Sequence, residues 1–321
     1  MERTRLSYTS FSTYQQCPLQ YRFRYVDRLD WQPRPALSFG ESLHAALEWF
    51  YSGQTPHPPD LPSLLRQLEK AWVSEGYADA EEEERYREHA REVLTVFHRA
   101  NAPRYRLPAS VEQPFQVDMG DFLLTGRIDR LDRHPDGTYE IIDYKTNRKL
   151  PPLARLSEDY QLPLYQLAAT RVWGIRPGKL TLYYLLPNQR FTTRPWSEER
   201  LESMVGELRA TAEAIAKGLF PPRPNHLCPW CDFISLCPEA PSSEGGLAGL
   251  IDRYADLLER RDGLDRLIRE LERKLVEEWP EGRRTLHSRR HRLMRLSEGG
   301  APHFRLDDLP EESDHLPPTE E

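Results

Sequence analysis

Residues 122–132 and 138–145 are two apolar-rich stretches joined by His134-Pro135-Asp136-Gly137, and this pairing constrains the chain more than any other feature. Strand-like runs on either side of an Asp-Gly turn fold back on themselves as a β-hairpin. Within it, Glu140-Ile141-Ile142 leads directly into Asp143, which places an acid at the end of a buried strand, where an unpaired charge is costly. Asp143 and Lys145 are two residues apart, so both side chains leave the same face of the strand. Asp129 lies on the preceding strand and can stand near Asp143. Carboxylates brought together in this way suit a hard divalent cation. Such a cation acidifies water and polarises a phosphate, while a neighbouring lysine orients or deprotonates that water and stabilises the phosphorane charge. A lone D-x-K is common, and the apolar run around it is what separates this one from a surface hairpin with scattered charges.

Helical patterns surround the hairpin. Ser10 is read as the N-cap of a short first helix, and residues 40–52, 62–76 and 81–100 as three more, the last opening with four glutamates near its positive end. Residues 111–118 precede the hairpin as a strand. A helix at 157–173, a strand at 179–187 and a helix at about 198–217 ending at Gly218 follow it. The order of elements is that of an α/β protein.

Four short motifs recur around this core. They are Gly40-Glu41-Ser42-Leu43-His44, continuing to Leu47-Glu48; Gly126-Arg127-Ile128-Asp129; Asp143-Tyr144-Lys145; and Gln161-Leu162-Pro163-Leu164-Tyr165. Their order and separation resemble the RecB family of PD-(D/E)XK nucleases, which carry G-x-x-x-H, G-x-x-D, D-x-K and Q-x-x-x-Y in that sequence. Each motif alone is weak, and together they are specific. The resemblance implies a restriction-endonuclease-like central mixed sheet flanked by helices. It implies that His44, Asp129 and Asp143 bind Mg2+ or Mn2+, that the Tyr144 carbonyl is a further ligand, and that Lys145 is the catalytic lysine. Gln161 and Tyr165, four apart on one helical face, would position DNA or the lysine. Pro163 departs from ideal helix composition unless it sits in the first turn.

All four cysteines fall in two places, Cys17 alone and Cys228, Cys231 and Cys237 as C-x2-C-x5-C. Thiolates so spaced bind soft or borderline metals, and four cysteines serve zinc or a [4Fe–4S] cluster equally well. One cysteine before the nuclease core and three after it, with Cys17-Pro18 and Phe220-Pro221-Pro222 beside them, resemble the iron–sulfur nucleases of the AddB C-terminal and CRISPR-adaptation type. That resemblance implies [4Fe–4S], with a structural role: a link between the two ends of the domain that restricts the unfolded chain.

The net charge of −7 does not argue against DNA as a partner. Asp307, Asp308, Glu311, Glu312, Asp314, Glu320 and Glu321 account for the whole excess, whereas Arg283, Arg284, Arg289, Arg290, Arg292 and Arg295 form a run without acids. That run reads either as a phosphate-tracking surface or as a basic face pairing with acidic segments of the same chain. Leu247 to Trp279 reads as a long amphipathic helix, docked on its own domain or on a protein partner. The expected organisation is therefore a nuclease domain at 1–240 with a helical insertion at about 53–105, a long helix plus Arg-rich segment at 241–305, and an acidic tail at 306–321 with the composition of disorder. No apolar run reaches membrane-spanning length, and the N-terminus lacks the apolar core of a secretory leader, so a cytoplasmic location is expected. The expected activity is metal-dependent hydrolysis of DNA ends or single strands, as an exonuclease in repair, recombination or CRISPR adaptation. A non-catalytic DNA-binding subunit of a helicase–nuclease or integration complex is the competing reading, against which stands the intact set of His44, Asp129, Asp143 and Lys145. No Walker A motif is present, so the chain carries no recognisable NTP-driven motor.

Overall fold

The computed structural model describes residues 3–31, 33–53, 55–147, 150–239, 247–280, 283–287, 291–296 and 303–308. The chain divides into two compact units, Met1–Ala240 and Pro241–Glu321.

The first unit begins with β1 (Thr4–Leu6), α1 (Tyr8–Gln16) and α2 (Pro18–Tyr21), which continues as a π-helical turn over Arg22–Val26. Next come α3 (Pro35–Tyr51), α4 (Leu61–Lys70) and α5 (Ala80–Asn101). The strands β2 (Ser110–Asp118), β3 (Phe122–Arg133) and β4 (Tyr139–Lys145) follow, then α6 (Leu153–Glu158), α7 (Gln161–Trp173), β5 (Pro177–Tyr184), β6 (Gln189–Thr193) and α8 (Glu198–Ala216). The strands form one mixed six-stranded sheet in the order β1-β3-β4-β5-β6, with β2 also paired to β3. The fold is α/β, with a central mixed sheet flanked by helices, as in restriction-endonuclease-like proteins.

Side-chain alternation along the strands divides the core. Ile141, Leu180, Leu182 and Tyr184 pack with Phe11 of α1, Leu164 and Ala168 of α7 and Leu208 of α8. Ile142, Tyr144, Tyr183 and Leu185 point the other way, into a second cluster with Leu43 and Leu47 of α3, Leu64 of α4 and Leu94 of α5. This period of two explains why both faces are buried over 140–144 of β4 and 180–184 of β5.

The route of β3 positions the site. β2 covers β3 antiparallel from Leu123 to Leu131. β1 pairs with it in parallel at Phe122–Leu124 and β4 antiparallel at Arg130–Arg133, so both must lie along its opposite edge. The β3–β4 ladder ends at Arg130↔Ile142. Asp129 and Asp143 are the next positions on the two strands, at the point where they part.

The N-cap of α1 is Ser7 rather than Ser10. Ser7 and Ser10 form a reciprocal capping box in which each side chain accepts the other's backbone N–H, with Ser10 at the third helical position. The single helix expected at 157–173 is two helices, broken at Asp159–Tyr160. Pro163 is the third residue of α7, where its missing N–H costs no intrahelical bond.

In the second unit, α9 (Leu247–Glu277) precedes a three-stranded antiparallel sheet of β7 (Thr285–His287), β8 (His291–Leu296) and β9 (His303–Asp308). The Arg-rich segment is thus partly strand, and its β8 pairs with the start of the acidic tail, Arg292 opposite Asp307 and His291 opposite Asp308. Of the tail expected at 306–321 with the composition of disorder, residues 306–308 belong to β9 and 309–321 lie outside the described residues. No helix among the described residues is long and apolar enough to cross a membrane.

Candidate active site

The end of β4 and the start of α7 hold one connected set of polar side chains. Gln161 stands at the centre. Its Nε2 donates to Asp143 Oδ1 at 2.7 Å and lies 2.9 Å from the Tyr165 hydroxyl, and its Oε1 accepts from Lys145 Nζ at 2.5 Å. Lys145 Nζ also lies 2.7 Å from Asp143 Oδ2. The helix break at Asp159 makes this placement possible, because Asp159 Oδ1 accepts the Gln161 backbone N–H at 2.8 Å and its Oδ2 accepts from the Tyr8 hydroxyl at 2.5 Å. Burial of Lys145 opposes its charge, but the Asp143 carboxylate outweighs that and holds the ammonium above its ordinary pKa. Lys145 is therefore a cation at neutral pH, suited to donating and to stabilising negative charge rather than to accepting a proton.

Where β3 and β4 part, the Asp129 side chain takes over from the ladder. Its Oδ2 accepts the Tyr144 N–H at 2.8 Å. From α3, His44 reaches the same place, with Nε2 3.1 Å from the Tyr144 carbonyl and Nδ1 3.4 Å from Asp129 Oδ2. The two motif glycines have physical reasons. A Cβ on Gly40 would stand 3.2 Å from Thr146 Oγ1, so glycine lets α3 close on the end of β4. One on Gly126 would stand 2.5 Å from the Phe115 ring, inside contact distance.

Glu112 completes the set and was not expected from the sequence. On β2 it falls opposite Asp129, between the pairs Val111↔Arg130 and Gln113↔Ile128. Its Oε1 is 3.9 Å from His44 Nδ1 and its Oε2 3.7 Å from Arg127. Its φ of +43° is unfavourable for a residue bearing a Cβ, a strain of about 1–3 kcal/mol that concentrates at functional sites. The only sequence indication is an acid inside an otherwise strand-like run, which the register of β2 on β3 converts into a site position.

His44, Glu112 and Asp129 offer one ligand atom each, all within 4.8 Å of one another. Asp143 adds a buried Oδ2 that has no properly directed hydrogen bond despite its nearness to Lys145. The protonation balance shows the crowding. Burial, then the neighbouring Asp143 charge, push the Asp129 carboxyl up to about 7. His44 is pushed up to about 9, because Glu112, Asp129 and Asp143 outweigh the opposing effect of burial. Three carboxylates and an imidazole converging on one place give the oxygen-rich donor set that suits a divalent cation, which would take the place of the proton that His44 and Asp129 hold without it.

A sequence profile of the PD-(D/E)XK nuclease superfamily matches residues 5–238. The chain belongs to this superfamily. It is a metal-dependent nuclease, and the cluster of His44, Glu112 and Asp129 is where a divalent metal can be held. The Gene 69 protein of Mycobacterium phage D29 is 22% identical over 273 residues, an alignment spanning 72% of this chain and 96% of that protein. Similar solved structures include SSO0001, at 18% identity over 75% of this chain and 89% of its own, with a TM-score of 0.36. A candidate exonuclease from Eubacterium rectale is 13% identical over 70% of this chain and 86% of its own, with a TM-score of 0.46.

The nuclease's cysteines gather at a second place. Cys17, Cys228, Cys231 and Cys237 line one small cavity between the start of α2 and the segment after α8. Cys17 Sγ accepts the Arg223 N–H at 3.5 Å and Cys228 Sγ the Asn225 N–H at 3.2 Å. Burial pushes the Cys231 thiol up, and Cys17 and Cys237 are close enough to add to that effect. Four cysteines lining one cavity, two of whose sulfurs receive backbone N–H groups, fit a thiolate-bound metal centre. Arg223 also donates to the Gln15 carbonyl, and Asn225 Nδ2 to that of Gln16, so the N-terminal helices and the Cys segment are joined by hydrogen bonds as well.

Proposed function

We propose that this nuclease is a deoxyribonuclease that degrades single strands or ends as an exonuclease, using His44, Glu112, Asp129, Asp143 and the Tyr144 carbonyl to hold Mg2+ or Mn2+. The observation that carries the reading is the pairing of two arrangements at the point where β3 and β4 part: a carboxylate–imidazole cluster, and beside it a lysine ammonium 2.7 Å from Asp143. A bound divalent cation supplies positive charge to the phosphate oxygens and acidifies water. Lys145 then orients the attacking water and, as a fixed ammonium, stabilises charge gathering on the phosphorus oxygens. Gln161 holds Lys145 and Asp143 in register through opposite ends of one amide, and Tyr165 fixes that amide from the next helical turn. In the balanced reaction, the water oxygen forms a bond to phosphorus, one ester P–O bond breaks, and the departing oxygen takes up a proton.

The same proposal assigns Cys17, Cys228, Cys231 and Cys237 to a [4Fe–4S] cluster that joins the N-terminal helices to the segment after α8. Its role is structural, in an enzyme of DNA repair, recombination or CRISPR adaptation. The exonuclease reading is tested with linear and circular single-stranded DNA of one sequence, incubated with the full chain and Mg2+ or Mn2+. Degradation of the linear form with survival of the circle supports it. Equal loss of both forms shows an endonuclease.

A further inference from the structure

A cleft of about 700 Å3 runs beside the Cys segment, between the π-helical turn after α2 and the beginning of α3. Its lining includes Thr146 and Asn147, the residues that directly follow Lys145. Trp230, between Cys228 and Cys231, lines it as well. Trp230 is 62% exposed, more than any other large apolar side chain described in the first unit. Trp31 lines the same cleft, with the Arg24 guanidinium 4.0 Å from its ring centroid. Arg34, the residue preceding α3, donates to the Trp230 carbonyl and pairs with Asp232 at 2.7 Å. The wall that carries Trp230 is thereby tied to the helix that carries His44.

An indole exposed in this way costs hydration free energy, and here nothing in the core repays it. Two indoles and a guanidinium along one cleft match the chemistry of unpaired nucleic acid, where bases stack on aromatic rings and cationic side chains meet phosphate. A duplex keeps its base faces stacked on one another and offers none to an indole. Asp232 is the one acid among the described lining residues, and Arg34 neutralises it.

We propose that this cleft is the path by which single-stranded DNA reaches the catalytic carboxylates, with Trp230 and Trp31 stacking on unpaired bases and Arg24 contacting the strand beside them. The proposal rests on the nuclease reading and deepens it by naming the residues that select unpaired over duplex DNA. It also gives the Cys segment a second task, because the two flanking cysteines fix the position of Trp230.

The test is binding by the full-length protein in EDTA, where cleavage cannot intervene, to a labelled oligothymidylate of roughly 16 nucleotides and to a blunt duplex of equal length. Trp230→Ala and Trp31→Ala are each expected to raise Kd for the single strand about 5- to 100-fold, the range that loss of one base–aromatic stack produces. The duplex Kd should change less than about twofold, and Trp230→Phe should recover most of the single-strand affinity because it keeps a π-face. Thermal melting of each variant shows whether it is folded, and if Trp230→Ala melts early, Trp31→Ala and Trp230→Phe carry the comparison. Unchanged single-strand affinity in folded Trp31→Ala and Trp230→Ala, or equal weakening for single strand and duplex, overturns the proposal. A wild-type protein that cleaves DNA while these variants bind normally refutes the cleft alone. A wild-type protein that binds the oligonucleotide through Trp230 but never cleaves it refutes the nuclease reading and leaves the cleft standing.

Discussion

Replacing Asp129 by Asn should stabilise the metal-free protein and remove its response to metal. Folding raises the Asp129 carboxyl from 3.8 to about 7, through burial and then the Asp143 charge. The native state therefore binds a proton that the unfolded chain has already released, and the contribution of Asp129 to stability falls as pH rises from about 4 to about 7 and is then level, while that of His44 is lost between about 6.5 and about 9. Above that window the ionised carboxylate destabilises the fold by a ceiling of about 4 kcal/mol. An Asn at this position still accepts the Tyr144 N–H through Oδ1, though more weakly than a carboxylate does, so a net gain of about 2 kcal/mol is expected. For a unit of this size that gain raises Tm by roughly 4–8 °C. The assay is thermal unfolding of wild type and Asp129→Asn in EDTA, near pH 8 and near pH 5. The variant should melt higher near pH 8, and the gap should close near pH 5, where wild-type Asp129 is protonated. Saturating Mg2+ should reverse the order near pH 8, since a ligand at a hundredfold its Kd stabilises the wild type by about 2.7 kcal/mol and a variant that cannot bind it not at all. An Asp129→Asn protein that melts lower than wild type in EDTA near pH 8 would refute the reasoning and make Asp129 a structural group.

Three further outcomes are expected. Glu112→Gln should weaken Mg2+-induced stabilisation, read as the shift in Tm on adding metal, while Glu112→Gly should raise the metal-free Tm by relieving the positive φ, a gain of about 1 kcal/mol. Cys17→Ser and Cys231→Ser should lower Tm equally, because both residues line one cavity, and freshly purified protein should contain about four iron atoms per chain by elemental analysis; one zinc and no iron would replace the iron–sulfur assignment and leave the shared destabilisation intact. Gly126→Ala should destabilise the fold by about 1–3 kcal/mol in denaturant melts, since its Cβ would overlap the Phe115 ring.

The parts of the fold that could be read in the sequence are those with long, regular apolar patterns. β3, β4, α5 and α8 fall within a residue or two of their expected bounds, because burial of one face dictates the period. What the pattern missed has local causes. β1 is three residues long, and β6 is a largely exposed edge strand, Gln189–Thr193, without apolar alternation. Ser7 and Ser10 are both good caps, and only the helix's own hydrogen bonds decide between them. The break before α7 comes from Asp159 binding the Gln161 N–H and from Pro163 needing a first-turn position, a competition that helical periodicity does not register. At the site, the motif residues His44, Asp129, Asp143, Tyr144, Lys145, Gln161 and Tyr165 all come together around the end of β4. Glu112 and Tyr8 were illegible for a different reason. Each acts through a partner distant in sequence, Asp129 across the β2–β3 register and Asp159 across most of the domain.

Cleavage of end-labelled single-stranded DNA in Mg2+ or Mn2+ by wild type and by Lys145→Ala tests the central claim most directly. Thermal melting of both proteins is read alongside to confirm that the variant is folded. The arrangement of Lys145 against Asp143 and Gln161 predicts metal-dependent cleavage by the wild type, none in EDTA, and a loss of about 100-fold or more in the folded variant. Full activity in folded Lys145→Ala would contradict the assignment of the catalytic site.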